Sequence, residues 1–291
     1  MNTLLIIITM LLIAPLSATQ PDTPPTAKPK ENLVFPSIQK IIDAGVLKFA
    51  ISASERPPFF FTNKSGELDG VDIRMAKAIA AALGVKAEFI QTEKDFDEVV
   101  NQVARGTAHM AISKLSFNEK RFKKVLYTYP YATVRFALLV NRAALEKFTS
   151  KDSLADIFAN NRLRISTVGG SSKVLTAQEM FPNAELVLAP TYDESYDKVY
   201  QEDCFACLSD EIEVLKLLLK DPKYNLKCAV VILEGTKDNL NIITNPDLPQ
   251  LDSMVRSMIT SRTDMSFKLE DICTQYEKDI KEYTPPSPKA A

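Results

Sequence analysis

A single histidine, His109, and a complete lack of tryptophan set the first limits on this chain of 291 residues. With one imidazole, His-rich metal sites are excluded, and any Ser-His-Asp or Cys-His mechanism has to run through His109. Glycine is scarce, at eight, and none forms GxGxxG, GxxxxGK[ST] or GxSxG, so the common dinucleotide, P-loop and nucleophile-elbow signatures are missing. An excess of one charge is missing too. Thirty-five Lys and Arg against 37 Asp and Glu give a net charge of −2, which leaves no basic surplus for a phosphate backbone and excludes a dedicated nucleic-acid binder. What is present, 46% hydrophobic and 25% charged residues, is the composition of an ordinary globular protein with enough chain for two domains.

The longest apolar run is Leu4 to Leu16, interrupted by Thr9 and lying before the first charged side chain, Asp22. As a helix it would be roughly 20 Å long, short of a ~30 Å hydrocarbon core. Residues 1–18 therefore read as a secretory signal ending at Ser17 and Ala18, which predicts a periplasmic protein. The absence of Lys and Arg from its first residues, and the size of Leu16, keep an uncleaved anchor open. Residues 19–36 hold five prolines in a polar setting and residues 284–291 hold three more; both read as tethers outside the fold, the second as a disordered tail.

Cysteines stand at 204, 207, 228 and 273, and an exported protein could pair them. Cys204 to Ser209 reads as a buried strand, in which positions i and i+3 point to opposite faces, whereas a redox CxxC sits at a helix N-terminus. Buried thiols are the expectation.

From residue 46 onward short apolar runs alternate with helical patterns, the signature of parallel sheets covered by helices. Val46 to Ile51, Lys86 to Ile90, His109 to Ser113, Arg135 to Val140, Arg164 to Val168, Glu185 to Ala189, Cys204 to Ser209, Lys227 to Leu233 and Leu240 to Ile243 read as strands. Between the first of these, Ile73, Ala76, Ile79 and Leu83 form one helical face that ends at Gly84, and Asp95 caps a helix carrying Phe96, Val99, Val100 and Val103. Two more helices are expected over Gln250 to Thr260 and Lys268 to Tyr283.

In open α/β sheets ligands bind beyond the carboxyl ends of strands, and three strand ends carry matched chemistry. After Met110 to Ile112 come Ser113, Lys114, Leu115 and Ser116, and Asn118 then opens a short helix bearing Arg121. After Ile165 to Val168 come Gly169, Gly170, Ser171 and Ser172 at a helix start, where bare N–H groups suit an anion. After Phe205 to Ser209 comes Asp210. A guanidinium and N–H groups for a carboxylate, with an acid for an ammonium, suit an α-amino acid. Each residue also has a plainer use: Arg121 in a solvated basic run, the glycines in a turn, Asp210 as a helix cap, Phe96 in the core, and His109 as a satisfied core residue.

These residues carry a resemblance to the family 3 periplasmic solute-binding proteins, the amino-acid receptors of ABC importers. It runs from about Ile38 to Tyr283: Ala44-Gly45-Val46-Leu47 through Pro57-Pro58-Phe59 and Gly70-Val71-Asp72-Ile73 to Leu83-Gly84-Val85, then Ser116 through Lys120-Arg121 to Tyr129-Pro130-Tyr131, then Gly170-Ser171-Ser172, and Asp210. The resemblance implies an α/β protein of two Rossmann-like lobes joined by a two-strand hinge, the type II periplasmic binding fold. Lobe 1 would comprise residues 37–134 plus 237–283 and lobe 2 residues 135–236, with crossovers near Thr133 to Phe136 and Lys237 to Asn241. It implies Arg121, Gly170 and Ser171 on a ligand carboxylate with Ser116 beside them, Asp210 on the ammonium, and Phe96 as a stacking wall. It further implies a non-enzymatic monomer without cofactor or metal that delivers an amino acid or similar zwitterion to an inner-membrane ABC permease.

Departures from that pattern add cations. Lys114, whose ammonium could reach into the cleft as a further ligand-binding residue, replaces a common Gly and Arg56 the aromatic before the two prolines, while His109 and Phe205 replace aspartates and a terminal Trp is missing. The added charges could favour an acidic ligand, or Lys114 could neutralise Asp210 and Glu211. An alternative on the same fold is a cyclohexadienyl or arogenate dehydratase, which Asn118 and the run Asp210-Glu211-Ile212-Glu213 resemble. Glu213 would then be the general acid; as a solvated first-turn residue it would have no such role. A ligand-sensing domain is the third expectation.

Overall fold

The computed structural model describes residues 34–148, 152–268 and 271–272, and in them twelve strands follow in chain order: β1 (Val46–Ala50), β2 (Phe61–Thr62), β3 (Leu68–Asp69), β4 (Lys86–Ile90), β5 (Met110–Ser116), β6 (Leu126–Val134), β7 (Phe136–Asn141), β8 (Arg164–Val168), β9 (Glu185–Ala189), β10 (Ala206–Asp210), β11 (Cys228–Ile232) and β12 (Asp238–Thr244). One five-stranded sheet has the order β4-β1-β5-β12-β6, a second the order β11-β7-β10-β8-β9, and β2 and β3 make a hairpin. The chain passes from the first sheet to the second between β6 and β7, at Arg135, and returns between β11 and β12. Two α/β lobes result.

Period-2 burial on both faces explains why these segments are strands. In β7, Ala137 and Leu139 enter one apolar cluster while Leu138 and Val140 enter the cluster on the opposite face. In β1, Leu47 and Phe49 face one core and Ala50 the other. Sheets buried on both sides read as continuous apolar runs, which is how they appear in the sequence.

The sheets are mixed rather than parallel. β1 pairs in parallel with β4 and β5, and β8 with β9 and β10, but β12 runs antiparallel to β5 and β6, and β7 antiparallel to β10 and β11. A strand that crosses from the other lobe enters its sheet from the opposite end, so the crossovers reverse the direction. β6 lacked a sequence signal because Pro130 interrupts it; it is an edge strand, where a missing N–H costs little.

Helices fill the intervals. Pro36 opens the helix Pro36–Ala44, one residue inside the segment expected to be a linker, as suits a proline at a helix start. The helix Val71–Ala82 follows Gly70, whose φ is +122° and where a Cβ would come 2.2 Å from the Phe59 carbonyl oxygen. Only glycine allows that turn. Asp95 caps the helix Phe96–Ala104 through the N–H groups of Asp97 and Glu98. The helix Pro249–Ser261 packs Leu251 and Val255 against the first sheet's core. Residues 1–33, most of the expected helix from Lys268 to Tyr283, and residues 284–291 lie outside the described residues, and with them the expected signal, the expected tail and Cys273. Among the described residues no helix is long and apolar enough to cross a membrane.

Candidate functional site

The three strand ends meet. At the end of β5, Asn118 accepts hydrogen bonds from the N–H groups of Lys120 (2.8 Å) and Arg121 (3.3 Å), which caps the short helix Glu119–Phe122 and turns Arg121 inward. At the end of β8, Gly169 to Ser172 lead into the helix Lys173–Met180. At the end of β10, Asp210 accepts from the Glu213 N–H and caps the helix Glu211–Lys220. Phe96, Lys114, Ser116, Arg121, Ser171 and Asp210 line one cavity of about 20 Å³, room for about one water with the lobes together.

Gly170, the seventh expected residue, stands at its edge and touches the other lobe. Its φ is +71°, a Cβ there would lie 2.0 Å from Asp95 Oδ2, and its carbonyl accepts a 2.7 Å bond from Arg121 Nη2. Arg121 Nε donates to Asp97 at 2.8 Å. The guanidinium is thus fixed by one carboxylate of its own lobe and one carbonyl of the other.

Charge fills the centre. Lys114 Nζ donates to Asp210 Oδ1 (2.9 Å) and Oδ2 (2.8 Å) and to Glu213 Oε1 (2.9 Å), and lies 5.2 Å from the centre of the Phe59 ring. Burial works against the Lys114 ammonium, but Asp210 and Glu213 outweigh it and raise the pKa. Lys173 Nζ donates to Asp238 at 2.5 Å and to Ser116 Oγ at 3.2 Å, and stands 3.7 Å from Asp210 Oδ2. Burial likewise opposes its charge, and Asp238, with Tyr192 and Asp210, raises it. Burial would raise the Glu213 carboxyl, yet Lys114, Lys216 and Arg56 hold it well below the usual carboxylate range.

Three details differ from the sequence reading. Lys114 neutralises Asp210 and Glu213, not Glu211, because Glu211 bonds Arg135 at the crossover. Glu213 is buried rather than solvated, at 2% exposure. Cys204 precedes β10 instead of lying in it, so Cys204 and Cys207 pack into the same apolar cluster rather than on opposite faces; both are free thiols. His109 accepts the Lys48 N–H through Nδ1 at 3.0 Å, a structural role on the first sheet.

Two further lining residues, Lys173 and Tyr192, had no role in the sequence reading, and Arg56 had one only as an added cation. Lys173 is the first residue of the helix after the Gly-Gly-Ser-Ser turn, a position that could have been followed one step further. Tyr192 follows the end of β9, a fourth strand end. Arg56, noted only as a departure, places its guanidinium 4.8 Å from the Tyr192 ring and 6.0 Å from Phe96. Its buried Nε has no hydrogen-bond partner among the described residues. No group of His, Cys, Asp and Glu among the described residues is arranged to hold a metal ion.

A model of the family described as bacterial extracellular solute-binding proteins, family 3, matches residues 47–267. The chain is 27% identical over 134 residues to membrane-bound lytic murein transglycosylase F of Saccharophagus degradans, covering 46% of this chain and 26% of that protein. It is 24% identical over 182 residues to a probable amino-acid ABC transporter-binding protein of Haemophilus influenzae, covering 59% and 63%. The chain therefore spans about a quarter of the first and just under two thirds of the second. Among solved structures, an ancestral amino acid-binding protein described as a precursor of cyclohexadienyl dehydratase superposes with a TM-score of 0.64 at 24% identity, over 83% of this chain and 98% of that one. At that identity the likeness carries the fold.

Proposed function

Since the chain belongs to the bacterial extracellular solute-binding proteins, family 3, we propose that it is a periplasmic receptor which closes its two lobes on an amino acid or a carboxylate analogue of one and hands it to an inner-membrane ABC permease. The lobes would divide as residues 37–134 with 237–283, and 135–236. The observation that carries this reading is convergence: residues from three strand ends, on both lobes, surround one buried cavity, and Arg121 bridges it to the Gly170 carbonyl. A guanidinium beside the Ser171-Ser172 helix start supplies fixed donors for a carboxylate. A solute bridging the lobes stabilises the closed arrangement by its differential affinity for it. A receptor of this kind works as a monomer.

The dehydratase alternative needs Glu213 as a proton donor. A carboxyl held far below its usual range by three cations is ionised at neutral pH and has no proton to give. That supports binding over catalysis.

The test is a thermal melt of unfolded and refolded protein against amino acids, carboxylates and prephenate. A solute at 100 times its Kd adds about 2.7 kcal/mol, a shift of several degrees for a chain of this size. A shift lost in Arg121→Ala supports the receptor; consumption of prephenate contradicts it.

A further inference from the structure

We propose that Lys114 is a built-in ammonium that takes the cationic place in the cleft, so that the solute this site accepts is a small carboxylate without an α-ammonium, such as a 2-oxo acid. The inference rests on the receptor reading and narrows it. The carboxylates that line the cavity are Asp210 and Glu213, and neither is free for a cationic solute. Asp210 has both oxygens on Lys114 Nζ and one of them also 3.7 Å from Lys173 Nζ. Glu213 is shared by Lys114 at 2.9 Å and Lys216 at 2.5 Å. An ammonium brought to Asp210 would stand among Lys114 and Lys173 at separations where like charges repel strongly in a buried site.

What the cavity leaves open are donors. Arg56 has a buried Nε with no acceptor, and it lines the same space as Arg121, whose guanidinium is held by Asp97 and the Gly170 carbonyl. A second oxygen on the solute would meet Arg56, while its carboxylate meets Arg121.

The backbone gives an independent argument. Lys114 has a φ of +50°, one of only two non-glycine residues in the left-handed region among the described residues. A side chain there is disfavoured and glycine is not. Strain of this sort is sustained where the side chain has a use, and the use visible is the Nζ pairing across the lobes.

The experiment compares matched solutes that differ only at the α-carbon, a ketone in one and a protonated amine in the other: pyruvate with alanine, and 2-oxoglutarate with glutamate. Their affinities are measured by calorimetry for refolded wild type and for Lys114→Gly, a change the φ of residue 114 accommodates. Wild type is expected to bind at least one 2-oxo acid no less than tenfold more tightly than its amino-acid partner. Lys114→Gly is expected to weaken that preference at least tenfold, through a gain in affinity for the amino acid. If wild type binds the amino acid as tightly as the 2-oxo acid, or if Lys114→Gly folds and keeps the wild-type preference, the proposal is overturned while the receptor reading stands. If no solute of either kind binds either protein, the receptor reading falls and the proposal falls with it. The wild-type comparison alone decides the matter should Lys114→Gly fail to fold.

Discussion

Lys114 and Asp210, 96 positions apart in the chain and on different lobes, meet with the ammonium 2.9 and 2.8 Å from the two carboxylate oxygens. Both side chains are almost fully buried, at 6% and 1% exposure. Such a pair costs desolvation to form, and removing one member strands the other.

Asp210→Ala is therefore expected to destabilise the protein by about 3 kcal/mol, the low end for a broken buried pair because Glu213 still accepts from Lys114, with the lost helix cap included. Asp210→Ala combined with Lys114→Met is expected to recover part of that loss. Urea unfolding of the two single variants and the double variant measures the coupling.

Gly170→Ala places a Cβ 2.0 Å from Asp95 Oδ2 at a φ of +71°. It is expected to cost about 1–2 kcal/mol of stability and at least tenfold in solute affinity, since the Gly170 carbonyl holds Arg121. At Gly169 a Cβ meets nothing nearer than 3.8 Å, so Gly169→Ala is expected to stay within about 0.5 kcal/mol of wild type. Parallel melts and titrations of the two variants make the comparison.

Asp72 accepts from the Tyr131 hydroxyl at 2.7 Å and from the Lys114 N–H at 2.8 Å. Burial nevertheless raises its carboxyl from 3.8 to about 6 against those bonds. The folded state then binds this proton more tightly than the unfolded chain. The contribution is fully present below pH about 4 and is lost as pH rises through about 6, on the order of 3 kcal/mol in all. Asp72→Asn carries no such titration, so the stability of wild type minus that of the variant is expected to fall between pH 4 and 6 and to be flat above. A pH-independent difference from urea unfolding contradicts this.

Cys204, Cys207 and Cys228 are buried and unpaired. Burial pushes Cys207 up to about 12 and Cys228 up to about 11, far from the thiolate that reacts. Native protein is expected to label slowly with a thiol reagent at these three positions, and rapidly once unfolded; mass spectrometry of the labelled peptides reads it.

Much of this arrangement was legible in the sequence because it depends on local rules. Apolar runs marked the buried strands, and the polar residues just past three of them gave Lys114, Ser116, Arg121, Ser171 and Asp210. The pairing of Lys114 was not legible to that depth. Glu211 and Glu213 lie two positions apart on one helix start, and only the packing of β7 beside β10 turns Glu211 toward Arg135 and leaves Glu213 facing the cavity. Lys173 and Tyr192 sit just past strand ends, so the rule that found the other residues reaches them only when it is carried one step beyond the Ser171-Ser172 turn and on to β9, whereas Arg56 joins from a loop with no strand-end signal. The strand directions were misread because periodicity reports burial and not orientation; β6, with Pro130, gave no periodicity to read.

The most direct test of the cleft as a carboxylate site is isothermal titration of pyruvate, 2-oxoglutarate, alanine and glutamate into refolded wild type and Arg121→Ala. The account predicts one-to-one binding of at least one of them to wild type and a loss of tenfold or more in the variant, about 1.5–3 kcal/mol for a charged hydrogen bond removed. Equal affinity in the two proteins, or no binding to wild type, contradicts it.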